Sequence, residues 1–407
     1  MGDFINQVSS LIKQVYFEGV KPCIVINDDI AFISDPVFQI RRNRVVAETL
    51  KAIIRLNIES DKNIIEKLLN YLLSTQHQDG SWSEIHAHYD QHSALITSIV
   101  GEAFILAIQH DIKKDELAPA VEKAEDYVLQ QEKKPGFFLK STSYTADHLN
   151  VDATCGAFLG AYADCFDDAD ALQACNRAAK HIVDHQWDNG VFPYAVDKGN
   201  YDFIKQVPCM HYQGVTLYYL SKIYKITKDD ALKQSLLDGA EWLASMQQKD
   251  GRFDWSGSGL MFAYYLTGAY AFAYASFQYI AQYDKQYTSN ASSCIPVLNN
   301  HLQKMFLRWE KTDWQSFPRS MFDAVQTAKL AKLGLKQSLF RFSYGLYRQI
   351  ARRRYNDLVD DTVFNAVVNL LHLNVSTIEP FANYPDLFMS SEILDCLSSA
   401  NEMIVKH

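Results

Sequence analysis

The sequence predicts an all-α fold, an (α/α) toroid of six inner and six outer helices built from helical hairpins of about 55 residues. Three observations predict it. Helical apolar spacing runs nearly end to end through the 407 residues. Alternating, strand-like runs are few, with Cys23 to Ile26 either a short strand or an apolar loop. Four helices end in related words whose glycines, Gly80, Gly136, Gly190 and Gly251, lie 56, 54 and 61 residues apart.

The words share the form Q-x-x-x-G-x-aromatic. They run Gln76 to Trp82, Gln186 to Phe192 and Gln247 to Phe253; Gln131 to Phe138 has one extra residue before its glycine. Glycine stops a helix by entering positive φ without a Cβ penalty. The glutamine amide in the last turn can bridge backbone groups of a neighbouring turn, and the aromatic can plug the junction between successive pairs. A two-helix unit cannot bury its own apolar face, so the units must stack.

The elements follow in order. Segments 3–17 and 40–57 are helical but carry no word. Helices at 62–76 and 169–186 show Lys, Asp and Glu on one side and fit an outer ring, and 117–131 and 231–248 have the same place in their repeats. The less polar helices 91–109, 151–166, 211–225 and 258–282 fit an inner ring. Beyond them, 297–307, 320–332, 337–352, 361–373 and 389–400 are helical without a clear copy. No Pro/Ser/Gly-rich linker interrupts the chain, so 1–407 reads as one domain.

Composition excludes several classes. Hydrophobic residues at 48% and charged residues at 21% suit a globular chain rather than a disordered one. A net charge of −9 disfavours nucleic acid as a partner. The uncharged run Trp255 to Tyr283 has the length of a membrane span, but its six tyrosines and the Thr267-Gly268 break favour a buried core helix. Seven cysteines without a CxxC pair, and an N-terminus unlike a secretory leader, predict reduced thiols in a cytoplasmic protein. No P-loop or dinucleotide glycine fingerprint occurs, so no cofactor is expected. Oligomeric state is not encoded in any pattern found.

The Q-x-x-x-G-x-W/F words resemble the repeat of squalene–hopene and other class II terpenoid cyclases. The toroid they imply is similar to that of protein prenyltransferase β subunits and of several carbohydrate-active families. In those families the words brace the architecture, so the resemblance implies fold rather than reaction. The cyclase acid motif DxDD is absent; Asp357-Leu-Val-Asp360-Asp361 and Asp167-Asp168-Ala-Asp170 do not match it. The zinc ligands of the prenyltransferases are matched poorly by Asp152, Cys155 and Cys209-Met-His211.

A toroid places its cavity where loops enter the inner helices, and those loops are rich in polar groups. The first holds His86, His88, Asp90 and His92; the second Tyr144, His148, Asn150 and Asp152; the third His211 and Tyr212; the fourth Trp255. Asp90, His211 and Tyr212 are the candidate catalytic groups, with Asp90 as acid or base and His211 with Tyr212 as a proton-abstracting pair. His88, His92, Tyr144, His148, Asn150, Asp152 and Trp255 are candidates for holding substrate. Competing structural readings make Asp90, Asn150 and Asp152 helix caps. Whether His86, His88 and His92 hold a metal is left open by spacing alone. The arginines at 341, 348, 352, 353 and 354 form a basic patch that fits a solvated helix end or an anion.

Such a polar mouth suits a polyhydroxylated substrate better than a carbocation, which its groups would quench. The expected function is a carbohydrate-active enzyme, a hydrolase, lyase or epimerase, acting on a glycan or uronate-containing substrate. The aromatic run at 258–282 keeps an isoprenoid ligand as an alternative, and a non-catalytic scaffold is a further one.

Overall fold

The computed structural model describes residues 2–35, 40–86, 89–200, 208–254, 266–310 and 387–405. Among them are twelve α-helices: α1 (Gly2–Gln14), α2 (Asn43–Leu56), α3 (Lys62–Ser74), α4 (Ala94–Gln109), α5 (Lys114–Gln130), α6 (Leu149–Phe166), α7 (Ala169–Asp184), α8 (Met210–Thr227), α9 (Asp230–Ser245), α10 (Leu266–Ile280), α11 (Thr288–Glu310) and α12 (Leu387–Val405). The even-numbered helices form the inner ring. Each packs on the next, and α12 lies between α10 and α2 to close the circle. Odd-numbered helices pack outside them, with the two ends of the chain supplying the last pair, α1 on α12. The toroid is therefore an α6/α6 barrel, and its closing helix comes from the C-terminal segment that carries no repeat word. The predicted helices 320–332, 337–352 and 361–373, and the arginine patch, lie outside the described residues.

Among the described residues three two-stranded hairpins decorate the helices: β1 (Ile24–Asn27) with β2 (Ile30–Ile33), β3 (Ser83–His86) with β4 (Tyr89–His92), and β5 (Glu132–Lys134) with β6 (Phe137–Phe138). The second corrects the predicted helix start at residue 91. Pairing of Ser83 with His92 keeps that stretch extended, and Ser93 becomes the cap, accepting from the Ile96 amide. Asp90 is thus a hairpin residue and not a cap.

The repeat words act as junctions between outer helices. Gly80, Gly136, Gly190 and Gly251 have φ of 82–86°. A Cβ on Gly190 would meet the Asp238 carbonyl oxygen of α9 at 2.1 Å, and Gly80 has the same relation to Lys123 of α5. Gln186 Nε2 donates to the Gly190 carbonyl at 3.0 Å and to that of Ser235 on α9 at 2.9 Å. Gln76 and Gln247 repeat the bridge to α5 and α11. In the longer second word Glu132 substitutes: it accepts from the Gly136 amide at 2.8 Å and pairs with Arg177 of α7 at 2.6 Å. Gly190→Ala combines the strain of a left-handed residue with a backbone clash. It should cost upwards of about 2 kcal/mol, read as a lowered urea midpoint.

The aromatics Trp82, Phe138, Phe192 and Phe253 are buried, and each ties its outer helix to an inner one. Their amides donate to Thr97 Oγ1, Asp152 Oδ1, Gln213 Oε1 and the Tyr270 hydroxyl at 3.0, 2.7, 2.8 and 3.0 Å. Thr97, Asp152 and Gln213 are each the fourth residue of their helix. Asp152 therefore faces the layer between the rings, and its latch role is shared by neutral side chains elsewhere.

Candidate active site

Inner helices start at the same end of the barrel, and their second residues share one opening. Arg44 of α2, Leu95 of α4, Asn150 of α6, His211 of α8 and Phe388 of α12 all line a cavity of about 370 Å³. That lies within the range of small-molecule sites, roughly 300–1,000 Å³. One turn deeper, Ile99, Thr154, Val215 and Glu392 form its floor. Tyr144, His148, Tyr194 and Tyr212 complete the wall together with Glu84 and Lys140. Five helix N-termini converge here, so their dipoles favour negative charge within the cavity.

Tyr144, His148, Asn150, His211 and Tyr212 are thus brought together, as the sequence expected of its second and third loops. Asp152 is not among the lining residues, because two positions along a helix turn it about 200° from Asn150. His148, rather than Asn150 or Asp152, is the residue preceding α6, and it offers no side-chain cap. Asp90 is exposed on β4, away from the lining. His92 is also outside it, bonded to Ser81 Oγ at 2.9 Å and Asp79 at 2.8 Å and stacked on His77. The hairpin register puts His86 and His92 at opposite ends of the ladder. His88 and Trp255 lie outside the described residues.

The groups that sequence reasoning missed are Arg44, Glu84, Lys140 and Glu392. Arg44 donates to Glu392 and to Glu48, the latter at 2.7 Å, and its guanidinium lies 4.2 Å from the Phe388 ring centroid. Lys140 Nζ is 3.0 Å from Glu84 and 4.4 Å from the Tyr144 ring centroid. His211 Nε2 is 4.0 Å from Glu392 Oε1. The His211 ring stands edge-on to Tyr212 and Phe272, and Tyr212 leans on Tyr194 at 4.5 Å. Gly268 of α10 admits the imidazole, since a Cβ there would come within 3.2 Å of it.

Burial first, and then the charge of Arg44, lowers the pKa of His211 from 6.5 to about 3. The ring is neutral at pH 7. Its neutral state in the fold contributes stability that is complete above pH 6.5 and is lost as pH falls from there towards 3, because the unfolded chain binds the proton. His211→Gln should remove that part of the acid destabilisation. Urea midpoints of both proteins at about pH 7, 5 and 4 check it.

Beneath the floor the lumen is filled with charge. Lys51 Nζ lies 2.6 Å from Asp395 and 3.3 Å from Glu102; Arg55 lies 2.6 Å from Asp395, and Lys222 lies 3.1 Å from Glu102. With Arg44, Glu48 and Glu392 above, four cations meet four carboxylates. Lys51 and Asp395 are 1% and 3% exposed. Burial alone would raise the Asp395 pKa, but Lys51, Arg55 and Lys222 outweigh it and hold the carboxyl well below the usual range. Burial pushes the Glu48 carboxyl up despite Arg44, and Ser391 donates to it at 2.6 Å.

Comparison with solved structures finds the same toroid fold in several sugar-active enzymes. A D-mannose isomerase aligns with a TM-score of 0.56 at 13% identity, over 72% of this chain and 84% of its own. The cellobiose 2-epimerase of Bacillus thermoamylovorans B4167 gives 0.56 at 10%, over 75% and 88%. The GH76A α-1,6-mannanase of Salegentibacter sp. HEL1_6 gives 0.54 at 10%, over 72% and 84%. The likeness is one of fold. No family model matches the sequence, and no curated protein matches it. Among the described residues no helix is long and apolar enough to cross a membrane, and α10, from the uncharged run, is an inner-ring helix.

Proposed function

We propose that the chain is a carbohydrate-active enzyme that moves a proton next to the carbonyl of an open-chain sugar, an aldose–ketose isomerase or 2-epimerase. The observation that carries this reading is a neutral buried imidazole, His211, beside a carboxylate, Glu392, and a guanidinium, Arg44, in one sugar-sized cavity. A carboxylate base with a neutral imidazole that polarises a carbonyl is a working pair for such chemistry. Glu392 takes the proton from C2. The His211 N–H donates to the carbonyl oxygen, and Arg44, Lys140 and the helix N-termini offset the charge of the enediolate. Passage of the O2 proton to O1 with return of the Glu392 proton to C1 gives the isomer, and a proton delivered to the opposite face of C2 by a second cavity acid, with the carbonyl re-formed at C1, gives the epimer. Tyr144, His148 and Asn150 hold hydroxyl groups, and Tyr212 with Tyr194 supplies a face for the sugar carbons.

Both cations of the cavity already touch carboxylates, so a neutral sugar suits it better than a uronate. The ionic plug below is unlike the dry aromatic chamber an isoprenoid would need, which disfavours that alternative. Glycoside hydrolysis is the second reading, because Glu84 and Glu392 give the cavity two carboxylates. Incubation with aldohexoses and reducing disaccharides in D2O separates the two. Deuterium at C1 or C2, seen by NMR, supports proton transfer. New reducing ends without deuterium support hydrolysis, and neither result with any sugar would dismiss both.

A further inference from the structure

Asp147, Asp152 and His181 form a cluster outside the cavity, between the inner and outer rings. Their ligand-type atoms lie within 4.8 Å of one another. Asp147 precedes the cavity residue His148, Asp152 is on α6, and His181 is on α7. His181 Nε2 is 3.0 Å from Asp147 Oδ2 and 3.9 Å from Asp152 Oδ2. Among the described residues, no lysine or arginine pairs with either carboxylate.

Asp152 is fully buried, and its two oxygens differ. Oδ1 accepts from the Phe138 amide, while Oδ2 has no hydrogen-bond partner and faces the cluster. Three other repeats make the same latch with Thr97, Gln213 and Tyr270, none of them charged. A buried carboxylate is costly unless a cation accompanies it. The latch therefore occupies one oxygen of Asp152 and leaves the second facing Asp147 and His181.

We propose that Asp147, Asp152 and His181 bind one divalent first-row transition-metal ion. Zinc bound at 2.0–2.2 Å in tetrahedral geometry separates its ligand atoms by about 3.4 Å. The two His181 separations, 3.0 and 3.9 Å, straddle that figure. One imidazole and two carboxylates suit Zn²⁺ or Mn²⁺ better than Ca²⁺, which takes oxygen ligands only. His181 is 13% exposed, which leaves a route for the ion from solvent. The ion would fasten the loop carrying Tyr144 and His148 to the outer ring, a structural role at one remove from the sugar.

The test uses the full-length chain, stripped with EDTA and titrated with MnCl2. Loss of the free Mn²⁺ EPR signal reports binding, and calorimetry with ZnCl2 gives a second reading. Mn²⁺ discriminates against the thiols of the part-exposed Cys23 and Cys165, which prefer softer ions. The expected result is one equivalent bound, with affinity reduced about tenfold or more in both Asp152→Asn and His181→Gln. Asp152→Asn keeps the Phe138 latch, and His181→Gln changes a partly accessible side chain, so melting in EDTA should show both folded. No saturable binding below about 1 mM, or unchanged binding in both variants, would overturn the site and leave the two carboxyls sharing a proton.

Discussion

Replacing Asp395 with leucine should lower the stability of the barrel by about 3–5 kcal/mol, the usual cost of stranding buried charges. Asp395 is the hub of the axial plug, 2.6 Å from both Lys51 and Arg55 and almost wholly buried. Its loss leaves the four cations facing three carboxylates in a lumen without bulk water. Lys51 keeps Glu102 at 3.3 Å, and Arg55 keeps Glu402 at 3.4 Å and the Ser398 hydroxyl at 3.2 Å. The double variant Asp395→Leu/Lys51→Leu should recover part of the loss, because a pair removed together strands less charge than one partner removed alone. Urea unfolding with an unchanged slope measures both effects. A single-variant loss below about 1 kcal/mol would mean that the lumen is hydrated and its charges are screened.

On the proposed isomerase or epimerase reading, replacing His211 with glutamine should slow proton exchange into the sugar by about 10²–10⁴-fold, the range for a positioned acid–base group. The loss should fall on kcat more than on KM, since the imidazole acts most strongly on the enediolate oxygen. Glu392→Gln should abolish exchange at C2 at least as fully, because it removes the proposed base. Thermal melting at neutral pH serves as the control for folding. Full activity in His211→Gln would remove that residue from the chemistry, whatever the sugar proves to be.

The word pattern made the ring readable, because each word is a complete local device: a positive-φ glycine, a bridging amide and a buried aromatic. The spacing predicts starts at 91, 151 and 211 for the inner helices after the first three words, each within three residues of the observed start. The closing pair α1 and α12 was not recognised as such, because both ends of the chain contribute and neither carries a word. Arg44 and Glu392 are hidden in the sequence for a related reason. In α2 the charged residues Arg44, Glu48, Lys51 and Arg55 recur at spacings of 4, 3 and 4, which ordinarily marks a face turned to water. Here the stripe faces the axis, where α12 answers with Glu392 and Asp395.

Position within the inner helices holds the information that periodicity alone did not. The second and sixth residues of α4, α6, α8 and α12 face the cavity, and the ninth and thirteenth of α2 and α8 face the plug or its border, as Lys51, Arg55, Tyr218 and Lys222 do. The fourth faces the outer ring, as Thr97, Asp152 and Gln213 do. Aligning the helices on their first residues would have separated Asn150 from Asp152 and brought His211 to Glu392. Hairpin β3–β4 was harder to foresee, since Ser83 to His92 carries no strong turn pair and its ladder depends on tertiary contacts.

The most direct measurement is a crystal structure of the protein soaked with sorbitol, a reduced open-chain hexose that cannot turn over. An open-chain sugar site predicts density for the polyol in the inner-ring mouth, with hydroxyl groups within hydrogen-bond reach of Asn150, His211 and Glu392. A mouth that stays filled by water at saturating sorbitol, while a polyprenyl diphosphate enters it, would contradict the assignment of this cavity to sugars.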